Sequence, residues 1–183
     1  MEWIQKNRTL LIVEGILFTL LGLLAIAMPV ISTLSAELFI GWILLFGGIV
    51  QLYRSIKTRK NSGFFWSLII SLLYILFGVL LIIFPIAGMF SLTILLIGFF
   101  IVEGIAKIIL GFQLKPFRYW GWMLFSGVIA LIMAAIIWSG WPGTAFWVIG
   151  LLVGINMIFF GISLLTLGFD KPKTPDEPAP PLV

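Results

Sequence analysis

Long apolar stretches alternate with short polar connections along the whole chain. Each stretch supplies about 20 mainly apolar residues, the number that an α-helix needs to cross a hydrocarbon core of ~30 Å. None shows the period-two alternation of a strand. The pattern predicts an all-α polytopic membrane protein, with a domain at residues 1–169 whose six transmembrane helices are Thr9–Met28, Leu34–Leu52, Phe64–Phe84, Phe90–Gly111, Trp120–Ser139 and Ala145–Leu167.

Basic residues are confined to alternate connections. Ten of the eleven Lys and Arg residues fall on one side of the predicted membrane, and Lys107 alone lies within a span. Because cytoplasmic loops carry the excess of Lys and Arg, both termini are predicted to be cytoplasmic. The basic groups precede the first span (Lys6, Arg8) and follow the second (Arg54, Lys57, Arg59, Lys60), the fourth (Lys115, Arg118) and the sixth (Lys171, Lys173).

The two ends of the chain allow other interpretations. Residues 1–27 resemble a cleavable signal peptide, but Glu14 interrupts the apolar run, so we expect a retained first span. Residues 170–183 contain five prolines and little to bury, which predicts a disordered, proline-rich cytoplasmic tail. A ligand for a proline-binding domain is the alternative for this tail.

The composition excludes several classes of protein and several kinds of active site. The 183-residue chain is 62% hydrophobic and 10% charged, with a formal net charge of +4, which excludes a water-soluble globule. It contains no Cys and no His, so disulfides, thiolate nucleophiles, imidazole bases and the usual zinc and haem ligands are excluded. No phosphate-binding loop or nucleophile–base pair is evident. We predict a protein that is not an enzyme and has no cofactor and no metal site.

Three prolines mark an internal repeat. Pro29, Pro85 and Pro142 are 56 and 57 residues apart, and each follows an odd-numbered span. Proline lacks a backbone donor and restricts the preceding residue, so a tight turn is predicted at each, within connections of about six residues. Because each copy holds two spans, all copies share one orientation, and inverted repeats are excluded. We predict three helical hairpins related by approximate threefold symmetry, at residues 8–54, 63–112 and 118–169.

Small residues recur at fixed distances from these prolines. In the first and third copies, glycines follow the proline by 12 and 19 residues, whereas one glycine of the middle copy is displaced by one residue. Small residues let helix backbones approach closely where lipid supplies no hydrophobic drive for association. We therefore assign helix packing to Gly15, Gly22, Gly41, Gly48, Gly78, Gly98, Gly104, Gly150, Gly154 and Gly161.

The glycine and proline spacing points to a known family. Gly-x6-Pro occurs at Gly22–Pro29 and Gly78–Pro85, and glycine-rich segments follow at Ile40–Ile49 and Leu95–Ile105. This pattern resembles the HdeD-type acid-resistance membrane protein family, and departs from it at Ala135, where the third copy would place glycine. The resemblance implies a six-span protein of the bacterial inner membrane that is associated with acid or envelope stress. It brings a domain of unknown function and no catalytic residue.

Three ionisable residues are predicted inside the hydrocarbon region, where a central charge costs roughly 3 kcal/mol. Glu103 and Lys107 are four residues apart and share a helix face. We predict an intramembrane charge cluster in which Lys107 is shared by Glu103 and Glu14. It would fix helix packing. Ion passage or acid sensing, and snorkelling with no specific pairing, are the alternatives, although the other copies carry no equivalent charges. The outer face offers one titratable acid, Glu37, beside the second span.

The favoured function is that of a non-enzymatic, stress-associated membrane component. A small-solute or proton-linked transporter and a scaffold for other membrane proteins are the rival classes. A water-filled cavity at the charge cluster would favour transport, whereas a dry centre with an exposed small-residue groove would favour a scaffold. The predicted partners are the lipid bilayer, a membrane protein or a second copy of the chain, no nucleic acid, and anionic lipids at Arg54, Lys57, Arg59 and Lys60.

Overall fold

The computed structural model describes residues 8–57, 63–116 and 120–169. These residues form six long α-helices and one 3₁₀ helix, with no strand among them, and each α-helix is long and apolar enough to cross a membrane. The predicted all-α architecture with six spans is confirmed. Arg59, Lys60 and the tail at 170–183 lie outside the described residues. The helices are α1 (Arg8–Ala27), α2 (Pro29–Lys57), α3 (Phe64–Ile83), α4 (Pro85–Gln113), α5 (Trp120–Ser139) and α6 (Val148–Phe169), with the 3₁₀ helix at Gly143–Phe146.

Two of the repeat prolines begin a helix. The helices α2 and α4 start at Pro29 and Pro85, so a single residue separates each of them from the preceding helix. Proline suits the first helical position because an N–H there would have no intrahelical partner and its φ is already helical. The predicted six-residue connections are therefore wrong at these two positions. Pro142 differs, since it caps the 3₁₀ helix that leads into α6.

The described helices form two compact units. The central unit comprises residues 28–152, and the terminal unit comprises α1 together with residues 153–169 of α6. In both units many large apolar side chains are exposed; Trp122, for example, is 74% exposed. An apolar surface of this extent suits contact with lipid.

Glycines bring backbones together within the central unit. A Cβ added at Gly78 in α3 would lie 2.6 Å from the nitrogen of Leu45 and 2.9 Å from the oxygen of Gly41, both in α2. One added at Gly104 in α4 would lie 2.9 Å from the oxygen of Gly127 in α5. These approaches join helices that flank a basic connection, α2 with α3 and α4 with α5.

In the terminal unit, too, glycines bring helix backbones close together. A Cβ on Gly22 would lie 2.7 Å from the oxygen of Gly154, and one on Gly15 would lie 2.9 Å from the oxygen of Gly161. All four glycines are buried. Within this unit α1 and α6 pack backbone against backbone, as the small residues of both helices permit.

The three helix pairs use equivalent positions of the repeat. The position 19 residues after each proline is buried glycine: Gly48, Gly104 and Gly161. Buried glycines of the partner helix, Gly127 and Gly15, pack against Gly104 and Gly161, whereas Gly48 packs against Tyr74 and Ile75 of α3. The internal repeat is therefore a repeat of helix contacts as well as of sequence.

Two small residues, Gly98 and Ala135, do not lie in the helix contacts that their positions in the repeat predict. A Cβ on Gly98 would meet nothing within 4 Å, whereas its neighbour Ile97 is buried at 4% exposure and packs in one cluster with Ala134. One residue along a helix turns a side chain by ~100°, so the displaced Gly98 faces outward. Ala135 is likewise exposed, and Ala134 is the buried residue. The small Ala134 leaves room for the larger Ile97.

Candidate functional site

The predicted pair of Glu103 and Lys107 lies in the central unit, where Lys107 joins two helices. Its Nζ donates to Oε1 of Glu103 at 2.5 Å and to Oγ of Ser126 in α5 at 3.1 Å. The two charged side chains are 32% and 29% exposed. The ion pair therefore lies at the rim of the helix packing, where Lys107 ties α4 to α5.

Glu14 is half-buried in α1 and belongs to the terminal unit. Its sharing of Lys107 stays a prediction. Ser126 is a partner of Lys107 that the sequence analysis missed, because nothing in the local pattern of α5 identifies which face meets α4.

The contact of Lys107 with Ser126 also has a chemical interpretation, since Ser–Lys pairs serve as nucleophile and base in some hydrolases. A lysine can act as the base only when it has a free lone pair for the hydroxyl proton. Here Lys107 donates to both Glu103 and Ser126, so it serves the hydroxyl as a donor. The arrangement links α4 to α5.

Glu37 occupies the least accessible position of any charged side chain in the described residues. Because α2 begins at Pro29, Glu37 lies inside the helix and is 0% exposed, so its placement at an outer surface is wrong. Neither Oε1 nor Oε2 has a hydrogen-bond partner. A Cβ on Gly88 of α4 would overlap Oε1 of Glu37, so the carboxyl group lies directly against the backbone of Gly88.

Thr93 stands at the repeat position of Glu37, eight residues after its proline, and is also 0% exposed with no partner for Oγ1. The third equivalent is Gly150. Aligning the chain on its three prolines, and asking which polar side chains recur, would have identified Glu37 and Thr93 as a set. The charge pattern identified Glu37 but not Thr93, because only one of the two side chains is charged.

Thr33 is a further fully buried polar side chain, near the start of α2. It is 0% exposed, and its Oγ1 donates to the oxygen of Pro29 at 2.9 Å and accepts the N–H of Gly150 at 2.9 Å. Gly150 is the third residue of α6, and the first four N–H groups of a helix have no intrahelical acceptor. Thr33 therefore satisfies an otherwise unpaired donor of another helix.

An apolar cavity of about 480 Å³ lies in the same unit, lined by residues of α2, α3 and α4. Leu81, Phe84 and Leu92 are among the lining residues, and Tyr74 and Ser91 supply the few polar atoms. Gly88, which contacts Glu37, also lines the cavity. Neither Glu103 nor Lys107 lines it. Within residues 8–57, 63–116 and 120–169, no group of three or more acidic side chains comes together to hold a metal ion.

Comparison with known proteins gives the family. The short repeat of unknown function DUF308 matches the chain three times, over residues 13–83, 69–139 and 129–179. Protein HdeD of Escherichia coli K12 is 25% identical over 170 residues, which cover 91% of this chain and 88% of the relative. Protein HdeD of E. coli O157:H7 and that of Shigella flexneri match with the same figures. No solved structure matches the chain.

The repeat family and the structure describe the same internal periodicity. Three overlapping matches cover most of the chain, and they fit the three helical hairpins of a protein with six apolar helices. The chain therefore belongs to the DUF308 repeat family and is a multi-pass membrane protein of the HdeD type.

Proposed function

We propose that this protein is a non-enzymatic component of the bacterial inner membrane that contributes to resistance to acid or envelope stress. The observation that carries the proposal is its similarity to Protein HdeD over 91% of the chain. Cytoplasmic termini are part of the proposal, because the basic residues are grouped in alternate connections.

The polar contacts of the central unit support a non-enzymatic role. Lys107 serves Ser126 as a donor, and Glu37 contacts a glycine. A second polar group, in which Gln51 and Ser55 bond to Ser67 at 3.0 and 2.5 Å, contains no ionisable side chain. Nucleophilic catalysis needs a hydroxyl beside a group that can take its proton, whereas the lysine beside Ser126 is also paired with Glu103.

The proposal is tested in the host cell. A strain that lacks the protein should survive an acid challenge less well than its parent, and the wild-type chain supplied on a plasmid should restore survival. The matched control is a Gly48→Ala chain with disrupted helix packing, which should fail to restore it. Unchanged survival of the deletion strain under both acid and envelope stress would contradict the proposal.

Proton-linked transport of a small solute is a second candidate, and Glu37 is the observation that favours it. A carboxyl group buried without a partner in a membrane helix is a common feature of proton relays. Flux assays in liposomes, with and without a pH gradient, separate the two candidates. Solute uptake that depends on the gradient would establish transport. No such uptake would contradict transport and favour the role in stress resistance.

Lipid partners belong to the proposal as well. Arg54 and Lys57 lie in the last turns of α2, with Arg59 and Lys60 next along the chain, and such basic groups attract anionic headgroups by about 1 kcal/mol each. We propose that this basic connection binds anionic lipids of the cytoplasmic leaflet. A membrane-protein partner or a second copy of the chain would meet the exposed glycines Gly47 and Gly98, where a Cβ has nothing within 4 Å.

A further inference from the structure

The carboxyl group of Glu37 has no hydrogen-bond partner although it is fully buried. A buried carboxylate that is neither paired nor hydrogen-bonded costs several kcal/mol, far more than a neutral polar group of the same size. The carboxyl group is nevertheless closely packed, because it lies directly against Gly88, where a Cβ would overlap its Oε1. The central unit therefore accommodates this acid at a defined place, and something must neutralise its charge.

Among the described residues of the central unit, no cation is placed to do so. On α4 the nearest charged groups are Glu103 and Lys107, which lie 15 and 19 residues beyond Gly88, at least ~22 Å along the helix. On α3 the nearest titratable group is Tyr74, whose Cβ packs at Gly48, eleven residues beyond Glu37.

The remaining neighbours are equally poor in charge. The 3₁₀ helix and the first turns of α6, residues 143–152, contain no titratable residue, and α5 contains none. On α2 itself the next titratable residue, Tyr53, is 16 positions away. Within the described part of the central unit, Glu37 thus faces no counter-charge.

A metal ion is a poor occupant of this position. Hard cations such as Ca²⁺ take six to eight oxygen ligands, and Mg²⁺ takes six. In the described part of the chain, the buried side-chain oxygens without a partner are the two of Glu37 and the one of Thr93, and Gly88 packs directly against the carboxyl group. A proton needs no coordination shell and no additional volume.

We propose that Glu37 is a proton-binding site of the central unit, held as the uncharged carboxylic acid while α2 and α4 are packed. Release breaks one O–H bond, leaves the electron pair on the carboxylate and passes the proton to water that enters when the helices separate. Thr93, at the equivalent repeat position, offers a second hydroxyl that has no protein partner and is free to bond such water. The inference rests on the geometry of Glu37 and does not depend on the proposed stress role.

Infrared spectroscopy of the full chain in lipid vesicles at neutral pH tests the proposal. We expect a C=O stretching band of a protonated carboxyl group in the wild-type protein, loss of that band in Glu37→Gln, and an unchanged band in the matched control Glu103→Gln. Absence of the band from the wild-type protein, or its loss in Glu103→Gln instead, would overturn the proposal.

A second measurement needs no variant at position 37. The chain contains five glutamates, so selective ¹³C labelling of glutamate gives few carboxyl signals. We expect one signal of a protonated carboxyl group at neutral pH in the wild-type protein, retained in Glu14→Gln and in Glu103→Gln. Five ionised carboxyl groups would refute the assignment even if Glu37→Gln does not fold.

Discussion

The backbone N–H of Gly150 donates a 2.9 Å hydrogen bond to Oγ1 of Thr33, which lies 117 positions earlier in the chain. The same hydroxyl donates to the oxygen of Pro29, at the first position of its own helix. One buried side chain therefore links the beginnings of two helices that follow repeat prolines, and the link requires glycine at 150, because a Cβ there would overlap the Pro29 oxygen.

Removing this hydroxyl should destabilise the central unit. The nearly isosteric Thr33→Val leaves the N–H of Gly150 buried without an acceptor, which costs about 1–3 kcal/mol. We expect a lower melting temperature in detergent. The control is Ser35→Ala, since the exposed Ser35 hydroxyl bonds only to the oxygen of Ile31 in its own helix. Equal melting temperatures for both variants would show that the link carries little stability.

Adjacent glycines of α2 should differ sharply in their tolerance of alanine. A Cβ on Gly48 would lie 2.8 Å from the nitrogen of Ile75, whereas one on Gly47 would meet nothing within 4 Å. Gly48→Ala must push α2 from α3, at a typical cost of about 1–3 kcal/mol. Gly47→Ala should be neutral or stabilising by up to ~1 kcal/mol, because alanine favours the helix. Equilibrium unfolding compares the two, and similar losses of stability would contradict the register described above.

The two contacts of Lys107 should contribute cooperatively to the free energy of unfolding. Lys107→Met removes the partner of Glu103 and of Ser126 together, and Ser126→Ala removes one of the two contacts. We expect a coupling energy of about 1 kcal/mol between these variants in a double-mutant cycle of unfolding. Lys57→Met, at an exposed lysine in the last turn of α2, is the charge-matched control and should show no coupling to Ser126.

The side of the membrane that each connection faces can be measured with single introduced cysteines, because the chain has no cysteine of its own. Gly63 and Gly143 are both open positions, where a Cβ has nothing within 4 Å. We expect Gly63→Cys and Gln113→Cys, which flank the basic connections, to react with a membrane-impermeant thiol reagent from the cytoplasmic side. Gly143→Cys should react from the opposite side. Labelling of Gly63→Cys and Gln113→Cys from opposite sides would refute the proposed topology.

The basic connection after α2 should select anionic lipid. Replacing Arg54 and Lys57 with Gln removes two charges, which should weaken association with anionic lipid by about 2 kcal/mol in total, at ~1 kcal/mol per residue. Competition between anionic and zwitterionic spin-labelled lipids measures this change. The same substitutions should have a smaller effect at high ionic strength, because salt screens exposed charges. Unchanged lipid selectivity would remove anionic lipid as a partner of this connection.

Sequence alone determined the features that depend on the membrane as a solvent. Six spans, their order and the repeat follow from segment length and residue spacing, because lipid admits only segments that satisfy their own backbone hydrogen bonds. The pairing of Glu103 with Lys107 is equally local, since residues four apart share a helix face.

The tertiary structure decided which faces meet. A shift of one residue turns a side chain by ~100°, so spacing along the chain could not show that Ile97 and Ala134 are buried while Gly98 and Ala135 face outward. Nor could it show that Glu37 rests on Gly88 or that Thr33 bonds to Gly150, because these contacts join helices far apart in the chain. In a protein whose helices are apolar on every side, hydrophobicity does not distinguish the packed face from the lipid face.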